Sequence, residues 1–173
     1  KSSGLGLSTT YAIVKNHRGY IICYSVPGKG TCFRIFLPLI EPPPHYASGI
    51  PAGNESILIV ETNSVERTYL VKTLQDLGYT VFEAEDEIQA RNIIQNESIK
   101  IDLLVVNIIL HKNDGRILAQ ELLKVRPSLR ILLSSGFPRQ HLIECGEINE
   151  NTKIISLPTS RGILARTIRE ILS

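Results

Sequence analysis

Asp102-Leu103-Leu104-Val105-Val106-Asn107 is the stretch on which the reading of this chain turns. Its apolar centre is short and closed at both ends by polar residues, the pattern of a strand covered on both faces. Similar runs recur on either side: Ile57-Leu58-Ile59-Val60 and Tyr79–Phe82 before it, Ile131-Leu132-Leu133 and Ile154-Ile155 after it. Helical spacing separates them. Val65, Tyr69, Leu70, Leu74 and Leu77 form one such stretch, stopped by Gly78, and Ile88–Ile94 a second. Leu118, Leu122 and Val125 mark a third, 139–145 a weak fourth, and Ile163, Leu164, Ile168, Ile171 and Leu172 a final amphipathic helix. Strands alternating with helices predict an α/β fold, a five-stranded parallel doubly wound sheet. Sites in such folds form at the carboxyl ends of the strands, which directs attention to the residues just after Val60, Val106, Leu133 and Ile155.

Ahead of this region, Pro42-Pro43-Pro44 and Ser48-Gly49-Ile50-Pro51-Ala52-Gly53 break the pattern. Consecutive prolines donate no backbone hydrogen bonds and favour an extended path, so residues 39–54 read as a linker. Residues 1–38 open with Gly4-Leu5-Gly6-Leu7-Ser8 and continue as a helix through Tyr11, Ile13, Val14 and His17, ended by Gly19. Tyr20–Ser25 and Thr31–Leu37 then flank Pro27-Gly28-Lys29-Gly30, a strand, turn, strand signal. A helix plus hairpin is a truncated α+β piece, too small to bury its own core. The division is therefore 1–38, linker 39–54, and an α/β domain over 55–173.

With 173 residues there is room for one domain and part of another. Hydrophobic residues at 43% and charged ones at 21% exclude disordered and collagen-like classes. No apolar run approaches the roughly 18 residues that cross a bilayer, Lys1-Ser2-Ser3-Gly4 is no signal peptide, and the chain has no Met at all. It reads as a cytoplasmic piece of a longer protein. A net charge of +2 argues for neither nucleic acid nor a membrane surface. Lys1, Lys15, Arg18, Lys29 and Arg34 face only Glu41 in residues 1–46, yet ordinary solvated cations explain them. Cys23, Cys32 and Cys145 lack metal-ligand spacing and read as free, mostly buried thiols. Cys23 and Cys32 fall on neighbouring predicted strands, which leaves a cross-strand disulfide open as the less favoured alternative. His17, His45, His111 and His141 are scattered without i,i+4 partners and read as surface or loop residues. Ser134-Ser135-Gly136 reads as a turn, because no His or acid is placed to activate either serine.

A Gly-x-Gly at a helix start offers free N–H groups to a phosphate. Here Gly4-Leu5-Gly6-Leu7-Ser8, Ile13-Val14, Gly19, Ser25, Pro27-Gly28-Lys29-Gly30-Thr31, Phe33 and Leu37-Pro38 fall in an order that resembles the last third of a histidine-kinase ATPase domain. Ser2 and Ser3 depart from its usual Gly-Thr. The resemblance implies that Gly4, Leu5, Gly6 and Leu7 border the phosphates of ATP in the intact parent. The Mg²⁺-binding Asn and the adenine-reading Asp-x-Gly of that family precede Lys1, so no cofactor is expected in residues 1–38 alone.

Residues 56–173 resemble a response-regulator receiver with a flavodoxin-like sheet. The resemblance rests on Ile57–Val60, Asp102–Asn107, Asp114-Gly115, Leu133-Ser134-Ser135-Gly136-Phe137 and Leu157-Pro158. Receivers accept a phosphoryl group on an aspartate, with Mg²⁺ held by acidic side chains and a cation balancing charge. In this resemblance Asn107 stands at the phosphoacceptor Asp, Glu61-Thr62 at the acidic pair and Leu157 at the Lys before Pro. Ser135 keeps the switch hydroxyl, whereas Ile154 replaces the switch aromatic. The metal site formed by Glu61, Thr62 and Asn107 is expected to be empty. Asp102, at the start of its strand, and Asp114, in a turn, are poor substitutes for the acceptor.

Two functional readings follow. One is a regulatory, non-catalytic pseudo-receiver at the C-terminal end of a hybrid histidine kinase. Its partners would be its own kinase core or other two-component proteins, or a second copy through final helices and sheet edge. The rival is a phosphorelay component of an active ATP-dependent kinase whose receiver still accepts a phosphoryl group. A small ligand in the emptied acidic pocket has no positive support in the sequence.

Overall fold

The computed structural model describes residues 6–28, 30–38, 49–110 and 113–173. The chain falls into two compact units, Lys1–Ser48 and Gly49–Ser173.

In the second unit, β3 (Ser56–Val60), β4 (Thr80–Ala84), β5 (Leu103–Asn107), β6 (Arg130–Ser135) and β7 (Ile154–Ser156) form a parallel sheet in the order β4-β3-β5-β6-β7. The helices between them are α2 (Ser64–Gln75), α3 (Glu87–Gln95), α4 (Gly115–Val125), α5 (Arg139–Glu144) and α6 (Arg161–Leu172). Side chains alternate across each strand, so the apolar runs supply two cores rather than one. Ile57, Ile59, Leu103, Val105, Leu132 and Ile155 pack with Leu70 and Leu74 of α2 and Leu164 and Ile168 of α6. The alternate residues Leu58, Val60, Leu104 and Val106 are equally buried, as are Ala90 and Ile94 of α3 and Leu118 and Leu122 of α4.

Most of these helices start on a side-chain cap. Asn63, Asp86, Asp114 and Ser160 each accept a hydrogen bond from the first turn of α2, α3, α4 and α6. Such caps satisfy N–H groups that helix geometry leaves open, worth about 1 kcal/mol each. They also fix where each helix leaves the carboxyl edge of the sheet. The weak helix expected over 139–145 is short, spanning only 6 residues.

The expected linker needs correction at its far end. Residues 39–48 lie outside the described residues, but Gly49–Asn54 belong to the second unit. Gly53 N–H donates to the Leu77 carbonyl (3.1 Å), and a Cβ at Gly53 would sit 2.3 Å from the Tyr79 ring. Close packing, not freedom, is what this glycine serves.

In the first unit, α1 (Gly6–Asn16) precedes an antiparallel hairpin of β1 (Tyr20–Val26) and β2 (Gly30–Phe36). Gly19 does not supply the left-handed residue that closes α1. Arg18 does, at φ 56°, while Gly19 is required because a Cβ would lie 2.5 Å from the Phe36 carbonyl. Lys15 lies over the Tyr20 ring and Arg34 over Tyr24. Phe33, Ile35 and Leu37 stand about half exposed on one face of the hairpin. The cysteine expectations are corrected as well. Cys23 pairs with Phe33 and Cys32 with Tyr24, one step apart, so their side chains point to opposite faces and cannot be bridged. All three cysteines are free, and Cys23 and Cys145 are exposed rather than buried.

Candidate functional site

The carboxyl ends of β3, β5, β6 and β7 bring together Glu61, Asn107, Ser135 and Leu157, as parallel pairing of adjacent strands requires. Glu61 follows β3 and is fully buried. Its Oε1 accepts the Asn63 N–H (2.9 Å), and its Oε2 accepts from Asn107 Nδ2 (2.7 Å). Asn107 ends β5, also buried, with its Oδ1 accepting the Ile109 N–H at 2.9 Å. The amide orientation is thus determined: turned over, it would set oxygen against the carboxylate and NH₂ against an N–H.

Burial pushes the Glu61 carboxyl up to about 7 from its ordinary 4.5; the bonds from Asn63 and Asn107 only partly offset this, and the nearby Glu66 adds to the rise. Arg67 gives the carboxylate little direct relief. Its Nη1 donates to the Glu61 backbone carbonyl (2.7 Å), and the rest of the guanidinium meets Glu83 and Glu85 across β4. Thr62, half-buried, follows Glu61.

Ser134 and Ser135 are the last residues of β6, not a turn, and both are buried. Ser135 Oγ accepts the Phe137 N–H (2.9 Å), and its carbonyl accepts the Leu157 N–H (2.8 Å). Leu157, 2% exposed, belongs to the apolar core with Leu164 and Ile168, just before a cis bond to Pro158. Asp102 lies at the opposite end of β5, accepting the Ser56 N–H and pairing with Lys100. Asp114 is more than the expected turn residue: it caps α4 and binds Arg116, which also reaches Glu147.

Residues 57–160 match the family model of the response regulator receiver domain. The chain belongs to that family. The sensor kinase CckA of Brucella abortus (strain 2308) is 32% identical over 99% of this chain and 20% of its own length. Sensor protein EvgS of Escherichia coli (strain K12) is 32% identical over 75% of this chain and 11% of its own. The chain therefore spans a small part of either relative. Among solved structures, the receiver domain from hybrid histidine kinase CckA superposes with a TM-score of 0.57 at 24% identity, covering 68% of this chain and 99% of that one. A CheY-like receiver domain protein from Methanospirillum hungatei JF-1 gives 0.57 at 22%, covering 69% and 94%. These likenesses establish the fold.

In this receiver, the Mg²⁺ that the family implies does not fit the residues present. A hard cation needs charged oxygens with free lone pairs. Among the described residues, Glu61 is the carboxylate that meets Asn107; Thr62 beside it and Asn107 itself are neutral, and burial disfavours the charged form of Glu61. Among the described residues, no group of three or more His, Cys, Asp and Glu could hold a metal ion. The residues expected to border ATP phosphates are described only in part. Gly4 and Leu5 lie outside the described residues, Leu7 is exposed, and a Cβ at Gly6 would meet nothing within 4 Å. Among the described residues no helix is long and apolar enough to cross a membrane.

The sequence missed three contributors to the site. Asn63 looks like a helix cap, yet its N–H also holds Glu61. Glu66, buried at the start of α2, acts on Glu61 through space. Gly115 leaves the room in which the Asn107 carbonyl sits, since a Cβ there would lie 1.9 Å from it. Only the Asp-Gly pair carried a signal for the last of these.

Proposed function

We propose that this receiver no longer accepts a phosphoryl group and works through protein–protein contacts in one fixed state. It would form the C-terminal regulatory part of a hybrid sensor histidine kinase. The observation that carries the reading is the 2.7 Å hydrogen bond from Asn107 Nδ2 to Glu61 Oε2. Two carboxylates at that distance repel unless a cation or a proton lies between them. The amide does internally what the cation does elsewhere: it gives the buried Glu61 a donor and leaves no anionic nucleophile. Leu157 acts in the same direction. An apolar side chain inside the core supplies no charge to a transferring phosphoryl group.

Support for the kinase parent comes from the match to Brucella CckA, which runs through 99% of this chain, residues before β3 included. In that reading residues 1–38 are the end of an ATPase domain and Gly4 to Leu7 border ATP phosphates in the intact protein. ATP and Mg²⁺ then belong to the parent, and the partners are its own kinase core or other two-component proteins.

Acetyl phosphate with Mg²⁺, followed by intact-mass measurement, tests the receiver half. No adduct is expected on this chain, whereas Asn107→Asp with Leu157→Lys restores the acceptor and the cation. A stoichiometric, hydroxylamine-sensitive adduct on the unaltered chain would establish the phosphorelay alternative, which the retained Ser135 hydroxyl favours. Nucleotide binding by the parent tests the kinase half independently.

A further inference from the structure

Ile131 and Leu133 alternate on β6 with Leu132, so they turn to the face of the sheet opposite the α2–α6 core. There, with Ala119 of α4 and Ile148 of the segment joining α5 to β7, they floor a cleft of about 470 Å³. Two arginines hold its walls. Arg116 Nε donates to the Asp114 carboxylate, Nη2 to Glu147 Oε2 (2.9 Å) and Nη1 to the Glu147 carbonyl, which ties the segment to α4. Further along, Arg139 Nη1 donates to the Thr152 carbonyl (2.7 Å) and Nη2 to the Glu150 carbonyl. Asn149 Oδ1 accepts from the Asn151 N–H (2.9 Å) and from Thr152 Oγ1, so the turn is also closed on itself. The cleft is therefore preformed. Lys153 stands at the edge of its floor, because the Leu133 N–H donates to the Lys153 carbonyl at 3.0 Å.

We propose that this cleft binds a small amphipathic monoanion, an aliphatic or aryl carboxylate whose apolar body lies on the floor and whose charged end meets Lys153. Its volume falls in the range of small-molecule sites, about 300–1,000 Å³, and an apolar floor under a few polar groups is their usual make-up. Charge selects the class. Three charged residues line the cleft; Arg116 and Glu147 pair with one another, and Lys153 is the charge left over. Among the described residues, neither the Lys153 ammonium nor the Gln120 amide has a side-chain partner, and both are exposed at the rim. A phosphorylated ligand suits the site less well. The guanidinium that would grip phosphate through two parallel bonds is already committed to Asp114 and Glu147, and one lysine offers a single point charge. The cleft lies on the other face of the sheet from Leu157, and binding there is independent of whether Asn107 accepts a phosphoryl group.

The test titrates octanoate into the ¹⁵N-labelled full chain and follows the backbone amides, with octanol as the uncharged control of equal length. Octanoate should shift amides within 116–120, 131–133 and 146–153, saturating at one molecule per chain, and octanol should bind more weakly. Lys153→Gln should weaken octanoate by about three- to fivefold, the range of an exposed ion pair, and bring it level with octanol. Gln120→Trp, which fills the rim from an exposed helix position, should abolish the shifts while the remaining amides keep their places. No saturable shift, or shifts centred on other residues such as the exposed Phe33 and Ile35 of the hairpin, would overturn the site. Equal binding of octanoate and octanol, or an unchanged affinity in Lys153→Gln, would overturn the choice of an anion.

Discussion

Asn107 and Glu61 are 46 positions apart in the chain and share one buried hydrogen bond. Because burial raises the folded-state value of Glu61 to about 7 against an ordinary 4.5, the folded state binds the proton more tightly than the unfolded one. Stability from this group is therefore fully present below pH 4.5 and lost as pH rises through 7, a change on the order of 3 kcal/mol. Urea denaturation at stepped pH should show that decline, and Glu61→Gln should flatten it; an unchanged slope in the variant would place the titration elsewhere. Asn107→Asp sets a second carboxylate against Glu61 and should cost about 3 kcal/mol at pH 8. The loss should shrink at pH 5, where one proton can serve both groups. Mg²⁺ should raise the melting temperature of that variant and leave the natural chain unmoved.

Among the elements, the approach of α4 to the end of β5 is the tightest fit around the site. Gly115 opens α4, its N–H donates to the Ile108 carbonyl, and Ile109 bridges to Asp114. A methyl group at 115 would collide with the Asn107 carbonyl at 1.9 Å and press on Val106 Cγ2 at 3.1 Å. The first collision is with backbone, so the helix must move. Gly115→Ala should destabilise by about 2–3 kcal/mol. It should also shift the Asn107 side-chain amide resonances in ¹⁵N-correlated spectra; a change below about 0.5 kcal/mol would show that α4 can slide at little cost. The elements themselves were legible because each apolar run has strand length and each intervening stretch has helical spacing. The direction of Gly115 was not, since an Asp-Gly pair suits an open turn as well as a helix start against a strand.

At the scale of the whole molecule, every member of the α2–α6 core lies between Ile57 and Leu172. The second unit also holds its own anchors, the Gly53 bond to Leu77 and the Glu55–Arg169 ion pair, with shortest contact 2.6 Å. Residues 49–173 expressed alone should therefore unfold in one cooperative transition by calorimetry. A start at residue 55, the boundary read from sequence, should be less stable because it discards the Gly53 contact. Equal stability of the two pieces would count against that role for Gly53. What the sequence determined by itself was the alternation of strand and helix, hence the parallel sheet and the strand ends where Glu61, Asn107, Ser135 and Leu157 meet. Periodicity and strand length are local properties, and the order of residues along the chain expresses them. Only the tertiary structure decided that Asn107 donates to Glu61, that Leu157 lies in the core, that Cys23 and Cys32 face apart, and that His141 has an i,i+4 partner in Cys145. These depend on pleat register, burial and helix phase, which set the directions of side chains through contacts between distant parts of the chain.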